Sequence, residues 1–576
     1  MNAAPLHERV AAWIADDPEP ADREELTRLL VDPAARAELA ERFSGRLRFG
    51  TAGLRGAVGA GPNRMNRAVV RATTAALARW LLDHDRAAGE RGVVVGCDAR
   101  QRSEELQEET ARVLAGAGIP ARVLEPRQPT PLLAFAVRHL GAAAGVMITA
   151  SHNPPADNGY KLYLGDGAQI VPPVDAEIEA GIAGVGPLSR VAVGAADHPL
   201  VQPAPPGVAD AYLDAIATLS PAPPGAGGLR VVHTALHGVS GALFARALER
   251  AGYPPPIPVA LQAQPDPSFP TVAFPNPEEP GALDLALAAA RDAGADIVIA
   301  NDPDGDRLAV AVPDGAATGG WRVLRGDELG VLLGAHLLDR TAGDPDAGAR
   351  LVATTVVSST LLARVAAAAG SRYAETLTGF KWIARAAEAS PGSRFLYGYE
   401  EALGYAVGEV VRDKDGIGAA LAVLGMAVEL RTAGRDLPGR LDDLEAAFGV
   451  HATEQVALHL GGAGPAAAME SLRGDLPEHL GGSPVLRCED LRAGGRREGP
   501  GGVSVLPPAD LLVFWLDGAR VVVRPSGTEP KLKIYLEAVL PAGGTRRNLP
   551  GDRAEASRRL RSLRAALVER LAPPVR

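Results

Sequence analysis

Four short stretches carry side chains whose types and spacing could do chemistry. In Thr149, Ala150, Ser151, His152, Asn153, Pro154 and Pro155, a serine hydroxyl stands beside an imidazole and an amide, with two prolines closing the turn. A serine next to a group that can move a proton suits a nucleophile or a phosphoryl carrier. The same residues also make an ordinary polar turn. Asp302, Asp304 and Asp306 recur at every second position and are followed by Arg307. Carboxylates spaced this way along a loop can converge on one hard cation. An EF-hand is excluded, because the twelfth position from Asp302 is Pro313 and not a glutamate; a solvated Asx-rich turn is the other reading. Glu400 and Glu401 lie between Gly398, Tyr399, Gly404 and Tyr405, where a carboxylate could accept hydrogen bonds from sugar hydroxyls or simply face solvent. Arg524, Ser526, Gly527 and Thr528 combine a guanidinium, two hydroxyls and a glycine, which makes either a phosphate cradle or a hairpin turn.

Two further stretches are less specific. Arg55 is flanked by Gly50, Gly53 and Gly56, a backbone suited to close approach by an anion. It has neither the strand–GxGxxG–helix setting of a dinucleotide site nor the Gly-Lys-Ser/Thr of a P-loop. Arg412, Asp413, Lys414, Asp415 and Gly416 read as a mixed-charge, solvated turn.

The elements that must position these residues follow from hydrophobic patterning. Residues 142–148 and 297–300 are apolar runs of strand length that end where Ser151 and Asp302 begin, and in open α/β sheets ligands gather at the carboxyl ends of strands. A strand–helix–strand order at 92–96, 103–118 and 119–124 returns at 229–232 and 241–251, and again at 351–357 and 359–370. Three such units predict three α/β domains with mixed, largely parallel sheets. After residue 439 come strands at 452–458, 511–515, 521–523 and 532–536, then a helix with Leu560, Leu563, Leu567 and Leu571 on one face; this predicts an α+β fourth domain. Residues 5–45 read as a helical extension. Gly434, Pro438 and Gly439, within residues 431–440, suggest a flexible tether that lets the fourth domain move.

Composition sets bounds. A chain of 576 residues, 47% hydrophobic and 22% charged, has room for about four globular domains. The net charge of −10 without a basic block argues against nucleic acid as a partner. Two cysteines, Cys97 and Cys488, make no disulfide framework and fit a reducing compartment. The N-terminus lacks a signal-peptide core, and no apolar run approaches the roughly 18 residues of a membrane span, so the expectation is a cytoplasmic protein with no membrane partner.

Taken together and in this order, the stretches from Arg48 to about Glu537 resemble the α-D-phosphohexomutases, the phosphoglucomutase and phosphomannomutase family. Residues 149–154 are similar to its phosphoserine loop, 302–307 to its metal loop, 398–404 to its sugar-binding loop and 524–528 to its phosphate-binding loop. Residues 49–66 and 376–382 look most like the branch of long bacterial phosphoglucomutases and animal phosphopentomutases. One departure is Ala402, where many members carry a serine; it bears on the choice of sugar and not on the reaction. The resemblance implies four domains around a central cleft: an extension at 1–45, then domains at 46–207, 208–322, 323–440 and 441–576. It implies a mutase interconverting hexose 1-phosphate and hexose 6-phosphate, of glucose or mannose, through a phosphoserine and a bisphosphorylated sugar. Ser151 would carry the phosphoryl group, Arg55 would sit beside it, and Lys161 or His152 would be the general acid/base, with electrostatic support of phosphate as the other role for Lys161. Asp302, Asp304 and Asp306, with a phosphoserine oxygen of Ser151, would hold Mg2+. Thr378, Gly379, Glu400, Lys414, Arg524, Ser526, Gly527 and Thr528 would bind substrate. Glucose 1,6-bisphosphate or an equivalent would be the activator, and the chain a monomer or weak oligomer. A phosphopentomutase, a sugar-bisphosphate synthase and, in another class, a non-catalytic sugar-phosphate-binding protein are the alternatives.

Overall fold

The computed structural model describes residues 5–50, 53–315, 317–460, 464–499, 502–526 and 531–571. The chain forms two compact units: Met1–Pro313 with Glu409–Gly425, and Asp314–Gly408 with Met426–Arg576.

In the first unit the helices Leu6–Asp16, Pro20–Val31 and Arg36–Arg42 close over a small core of Val10, Leu26, Leu39, Phe43 and Ala60. Beside them lies a mixed seven-stranded sheet. Its centre is the parallel pair Val93–Cys97 and Ala144–Ile148. Both strands are buried along their whole length, which is why they read as continuous apolar runs and not as alternating ones. The strand Asp157–Leu164 runs antiparallel to Ala144–Ile148, setting Lys161 opposite Met147. On its other edge it pairs with Gly53–Ala57, setting Arg55 opposite Gly159. Pairing register therefore carries Arg55 and Lys161 to the strand end that presents Ser151. A second, five-stranded sheet contains Ile297–Ala300, parallel to Val231–Thr234 and antiparallel to Ala309–Pro313. The three aspartates lie in the connection between its antiparallel strands.

In the second unit the strands Arg372–Thr376, Arg350–Thr355, Arg394–Glu400 and Gly404–Val407 form a sheet that is parallel except at its last pair. The helix Gly326–Arg340 packs closely on it: a Cβ at Gly330 would lie 2.5 Å from the Tyr399 ring. The strands expected after residue 439 pair into one antiparallel six-stranded sheet. The helix Leu549–Leu571 covers it with Leu560, Leu563, Leu567 and Leu571 buried.

The tether expected at residues 431–440 is largely helical, with only residues 433–436 between two helices. It holds the end of the helix Gly416–Thr432 and the start of the helix Leu437–Phe448. Asp436 caps the second helix by accepting from the Gly439 N–H at 2.7 Å, and Pro438 sits in its first turn, a position where proline has no hydrogen bond to lose. The C-terminal sheet is also bonded to the preceding one: Glu537 Oε1 accepts from Thr360 N at 2.7 Å, Thr360 Oγ1 at 2.9 Å and Ser359 Oγ at 3.1 Å, and Arg520 meets Glu375 at 2.8 Å. Among the described residues no single helix is long and apolar enough to cross a membrane.

Candidate active site

In the first unit Ser151 is buried and takes a left-handed conformation, φ 54°, an uncommon state for a residue with a side chain. The surrounding groups impose it. Asp98, just beyond the strand Val93–Cys97, accepts from Thr149 Oγ1 at 2.7 Å, and Thr149 Oγ1 accepts from Ser151 N at 2.9 Å. The buried Arg100 guanidinium donates to the carbonyls of Ser151 (2.7 Å), Asn153 (2.6 Å), Pro154 (2.8 Å) and Asp157 (3.0 Å). One planar, always-charged fork thus gathers the loop's carbonyls. Neither Asp98 nor Arg100 was singled out from sequence, although an Asp-x-Arg directly after an apolar strand was there to be read.

The loop presents Ser151 Oγ to Asp302 Oδ2 at 2.6 Å, with His152 Nδ1 3.2 Å away. Burial, then the Arg307 and Arg55 charges, hold His152 well below the usual histidine range, which favours the neutral ring and works against its taking up a proton. Arg55 donates to Asn153 Oδ1 at 2.9 Å, while its buried Nε has no partner. Lys161 Nζ contacts Asp304 Oδ2 at 2.6 Å and Asp306 Oδ2 at 2.7 Å. A lysine that exchanges protons near neutral pH needs its pKa lowered. The opposite holds here: burial opposes the Lys161 charge, but Asp304 and Asp306 outweigh it and raise the lysine above its usual range.

Asp302, Asp304 and Asp306 are buried, and each offers an oxygen within 4.8 Å of the others. Asp304 Oδ2 takes hydrogen bonds from Thr130 and Lys161, yet Asp304 Oδ1 and Asp306 Oδ1 are buried with no hydrogen-bond partner. Burial, then the Asp304 and Asp306 charges, push Asp302 well above the ordinary carboxylate range. Orphaned oxygens and a carboxylate forced toward its neutral form mark a site short of positive charge. An all-oxygen donor set matches a hard divalent cation, so the cluster can bind a metal.

Lys414 joins this cluster, contrary to the solvated turn its sequence suggests. Residues 413–416 are buried because every charge has a partner. Lys414 Nζ lies 3.3 Å from Asp306 and 3.2 Å from Asp413. Asp413 Oδ2 accepts from Tyr163 at 2.8 Å and Gln169 at 2.6 Å, and Asp415 accepts from Tyr212 at 2.8 Å.

The remaining candidates lie in the second unit. Gly379, at φ 108°, donates its N–H to Glu400 Oε1 at 2.8 Å, which places Thr378, Gly379 and Glu400 together. Arg524 stacks over Tyr535, 5.8 Å from the ring centroid, and donates to its hydroxyl at 3.2 Å; its buried Nε has no partner. Ser526 closes the strand with its N–H on Lys531 O at 2.9 Å. Gly527 and Thr528 lie outside the described residues.

A serine hydroxyl bonded to a carboxylate cluster that could hold a cation, with Arg55, Arg100 and Lys161 bonded to the groups around it, suits the transfer of an anionic group, and the fold and site fit a phosphoryl-transferring enzyme. The comparisons agree. Models described as phosphoglucomutase/phosphomannomutase alpha/beta/alpha domains I, II and III match residues 46–186, 210–315 and 325–445, and the model of that family's C-terminal domain matches 481–546. The chain belongs to the phosphoglucomutase/phosphomannomutase family, and its relatives include mutases, that is, isomerases, and glucose 1,6-bisphosphate synthases. It is 41% identical to a protein of Haemophilus influenzae named "Probable phosphomannomutase", over 82% of this chain and 93% of that one. It is 33% identical to the human phosphopentomutase, over 99% of this chain and 96% of that one. In fold it is similar to the crystal structure of a phosphoglucomutase/phosphomannomutase family protein from Burkholderia thailandensis, with TM-score 0.66, 22% identity and coverage of 92% of this chain and 98% of that one.

Proposed function

We propose that the protein interconverts hexose 1-phosphates and hexose 6-phosphates, of glucose or mannose, through a phosphoserine at residue 151 and a bisphosphorylated sugar. The observation that carries this is the Ser151 hydroxyl, strained out of the common backbone range and seated 2.6 Å from Asp302 at the edge of the carboxylate cluster. Asp302, Asp304 and Asp306 would hold Mg2+, which when bound supplies charge stabilisation on the transferring oxygens. Arg55, bonded to Asn153, and Arg307, against His152, put positive charge beside the serine's loop and would favour an anionic, phosphorylated serine. His152, 3.2 Å from Ser151 Oγ, is placed to exchange a proton with that oxygen once a metal or phosphate changes the charge around it. Lys161, charged between Asp304 and Asp306, would support phosphate electrostatically; a pH–rate profile of each variant tests the proton-transfer role of either residue. Thr378, Gly379 and Glu400 would receive the sugar hydroxyls, Arg524, Ser526, Gly527 and Thr528 the phosphate that does not react, and Lys414, 3.3 Å from Asp306, would be a further substrate contact.

Domain limits at 46–207, 208–322, 323–440 and 441–576, a glucose 1,6-bisphosphate activator, a cytoplasmic setting and a monomeric or weakly associating chain belong to the same proposal. The scarcity of cysteine supports the cytoplasmic setting. A pentose phosphate is the second reading, favoured by Ala402 at a sugar-loop position and by the full-length similarity to a phosphopentomutase. The test is a panel of glucose 1-phosphate, mannose 1-phosphate and ribose 1-phosphate, each with a catalytic amount of glucose 1,6-bisphosphate. A kcat/KM at least about tenfold higher for a hexose phosphate is expected. Preference for ribose 1-phosphate would replace the hexose reading, and no turnover on any of them would remove the mutase assignment.

A further inference from the structure

The second carboxylate of the sugar loop has no part in the chemistry above. Glu400 and Glu401 are neighbours at the end of the strand Arg394–Glu400 and so point to opposite sides. Glu400 turns to Gly379. Glu401 turns inward, where Oε2 accepts from Thr355 Oγ1 and Ser358 Oγ, each at 3.1 Å, and its own N–H reaches Ser358 Oγ at 3.3 Å. Its carbonyl oxygen is pressed on the helix Gly326–Arg340 so closely that a Cβ at Gly326 would lie 1.8 Å from it. Side chain, N–H and carbonyl are thus all fixed.

The turn that receives Glu401 is itself tied to the strand of the phosphate arginine. Arg520 donates to Ser358 O, and Ser359 and Thr360 bond to Glu537, which pairs with Arg520 at 3.1 Å. Arg520 and Arg524 lie on one strand, Ala519–Pro525, an even number of residues apart and hence on one face. We infer that Glu401 is a positioning residue: it sets the spacing between Glu400, which would take the sugar hydroxyls, and Arg524, which would take the distal phosphate. This rests on the mutase reading, and it makes Glu401 a determinant of how well a sugar phosphate of given length fits. The charged and titratable groups facing it are Glu400, Asp327, Arg524 and Tyr535. Burial, then Glu400 and Asp327, push its carboxyl up to about 7, so at higher pH it adds a negative charge facing Arg524.

The experiment compares wild type, Glu401→Ala, Glu401→Gln and Ser358→Ala on glucose 1-phosphate, with thermal melts to check folding. Loss of the brace in Glu401→Ala should raise KM about tenfold and change kcat less than about twofold, the pattern of a lost binding interaction. Glu401→Gln, which keeps the shape and hydrogen bonding, should return KM to within about threefold of wild type, and Ser358→Ala should raise it in the same direction. The ratio of wild-type to Glu401→Gln KM should climb between about pH 6 and pH 8, a comparison from which the substrate's own phosphate ionisation near pH 6 cancels. A folded Glu401→Ala with wild-type KM would overturn the inference, as would a Glu401→Gln no better than alanine. Should Glu401→Ala not fold, an unchanged KM in Ser358→Ala would overturn it. A wild type without mutase turnover would remove the mutase reading, and the inference with it.

Discussion

Asp304 divides its two oxygens between two tasks. Oδ2 holds Lys161 and Thr130, and Oδ1 has no protein donor. Burial works against its charge, but Lys161 and the Asp302 and Thr130 hydrogen bonds outweigh it and hold Asp304 below the ordinary range. Asp304→Asn therefore does two things. It should raise the Mg2+ concentration for half-maximal activity about tenfold or more. It should also lower metal-free stability by about 1–3 kcal/mol, because Lys161 loses one of its two anionic partners. Simple repulsion among three carboxylates would predict a more stable variant; a urea titration without metal decides between the two. Glu401 gives the opposite pH sign. Its folded value of about 7 lies above its ordinary 4.5, so the folded state keeps the proton to higher pH than the unfolded chain. The stability this lends is complete below about pH 4.5 and is lost as pH rises through about 7. Glu401→Gln should melt close to wild type at pH 5 and above it at pH 8; equal melting temperatures at both would mean that the carboxyl titrates normally.

At the scale of elements, the phosphoserine loop is a polar turn whose shape is imposed from a neighbouring strand. Arg100 binds the carbonyls of Ser151, Asn153, Pro154 and Asp157, a geometry a lysine ammonium cannot copy. Arg100→Lys should lower kcat by about a hundredfold through misplacement of Ser151, with a loss of about 3–5 kcal/mol in stability. A rate within about twofold of wild type would show that the loop holds its own form. The strands leading to Ser151 and Asp302 were legible in the sequence because buried parallel strands leave continuous apolar runs, and the motifs themselves because their residue types are concentrated in a few positions. Arg100, Tyr163 and Asp413 were not, since each acts through partners 50 to 250 residues away, which only strand register brings near. Residues 431–440 misled for a local reason: glycine and proline mark breaks, but Pro438 behind the Asp436 cap begins a helix. Likewise the charges of 412–415 look solvated in sequence, because a burial partner is invisible until the chain is folded.

At the scale of the molecule, the candidate residues fall into two sets that follow the two compact units. Ser151, Arg55, His152, Lys161, Lys414 and the three aspartates belong to the first, and Thr378, Gly379, Glu400, Arg524 and Ser526 to the second. The residues 409–425 are contiguous in sequence with the second unit yet pack into the first, bringing Lys414 to Asp306. Mg2+ should therefore stabilise the first unit. At a hundredfold excess over its dissociation constant the gain is about 2.7 kcal/mol, and hydrogen exchange should slow at residues 149–164 and 297–309. Protection elsewhere, with none there, would place the cation at another site. The central claim is that Ser151 carries the phosphoryl group. The most direct measurement is intact-mass and peptide analysis of the protein after incubation with glucose 1,6-bisphosphate and Mg2+, then after a chase with glucose 6-phosphate. The account predicts a single phosphoryl adduct on the peptide containing Ser151 that the chase discharges, and none on Ser151→Ala, which should be folded and inactive. Turnover by Ser151→Ala, or an adduct that maps elsewhere and discharges at the rate of catalysis, would contradict it.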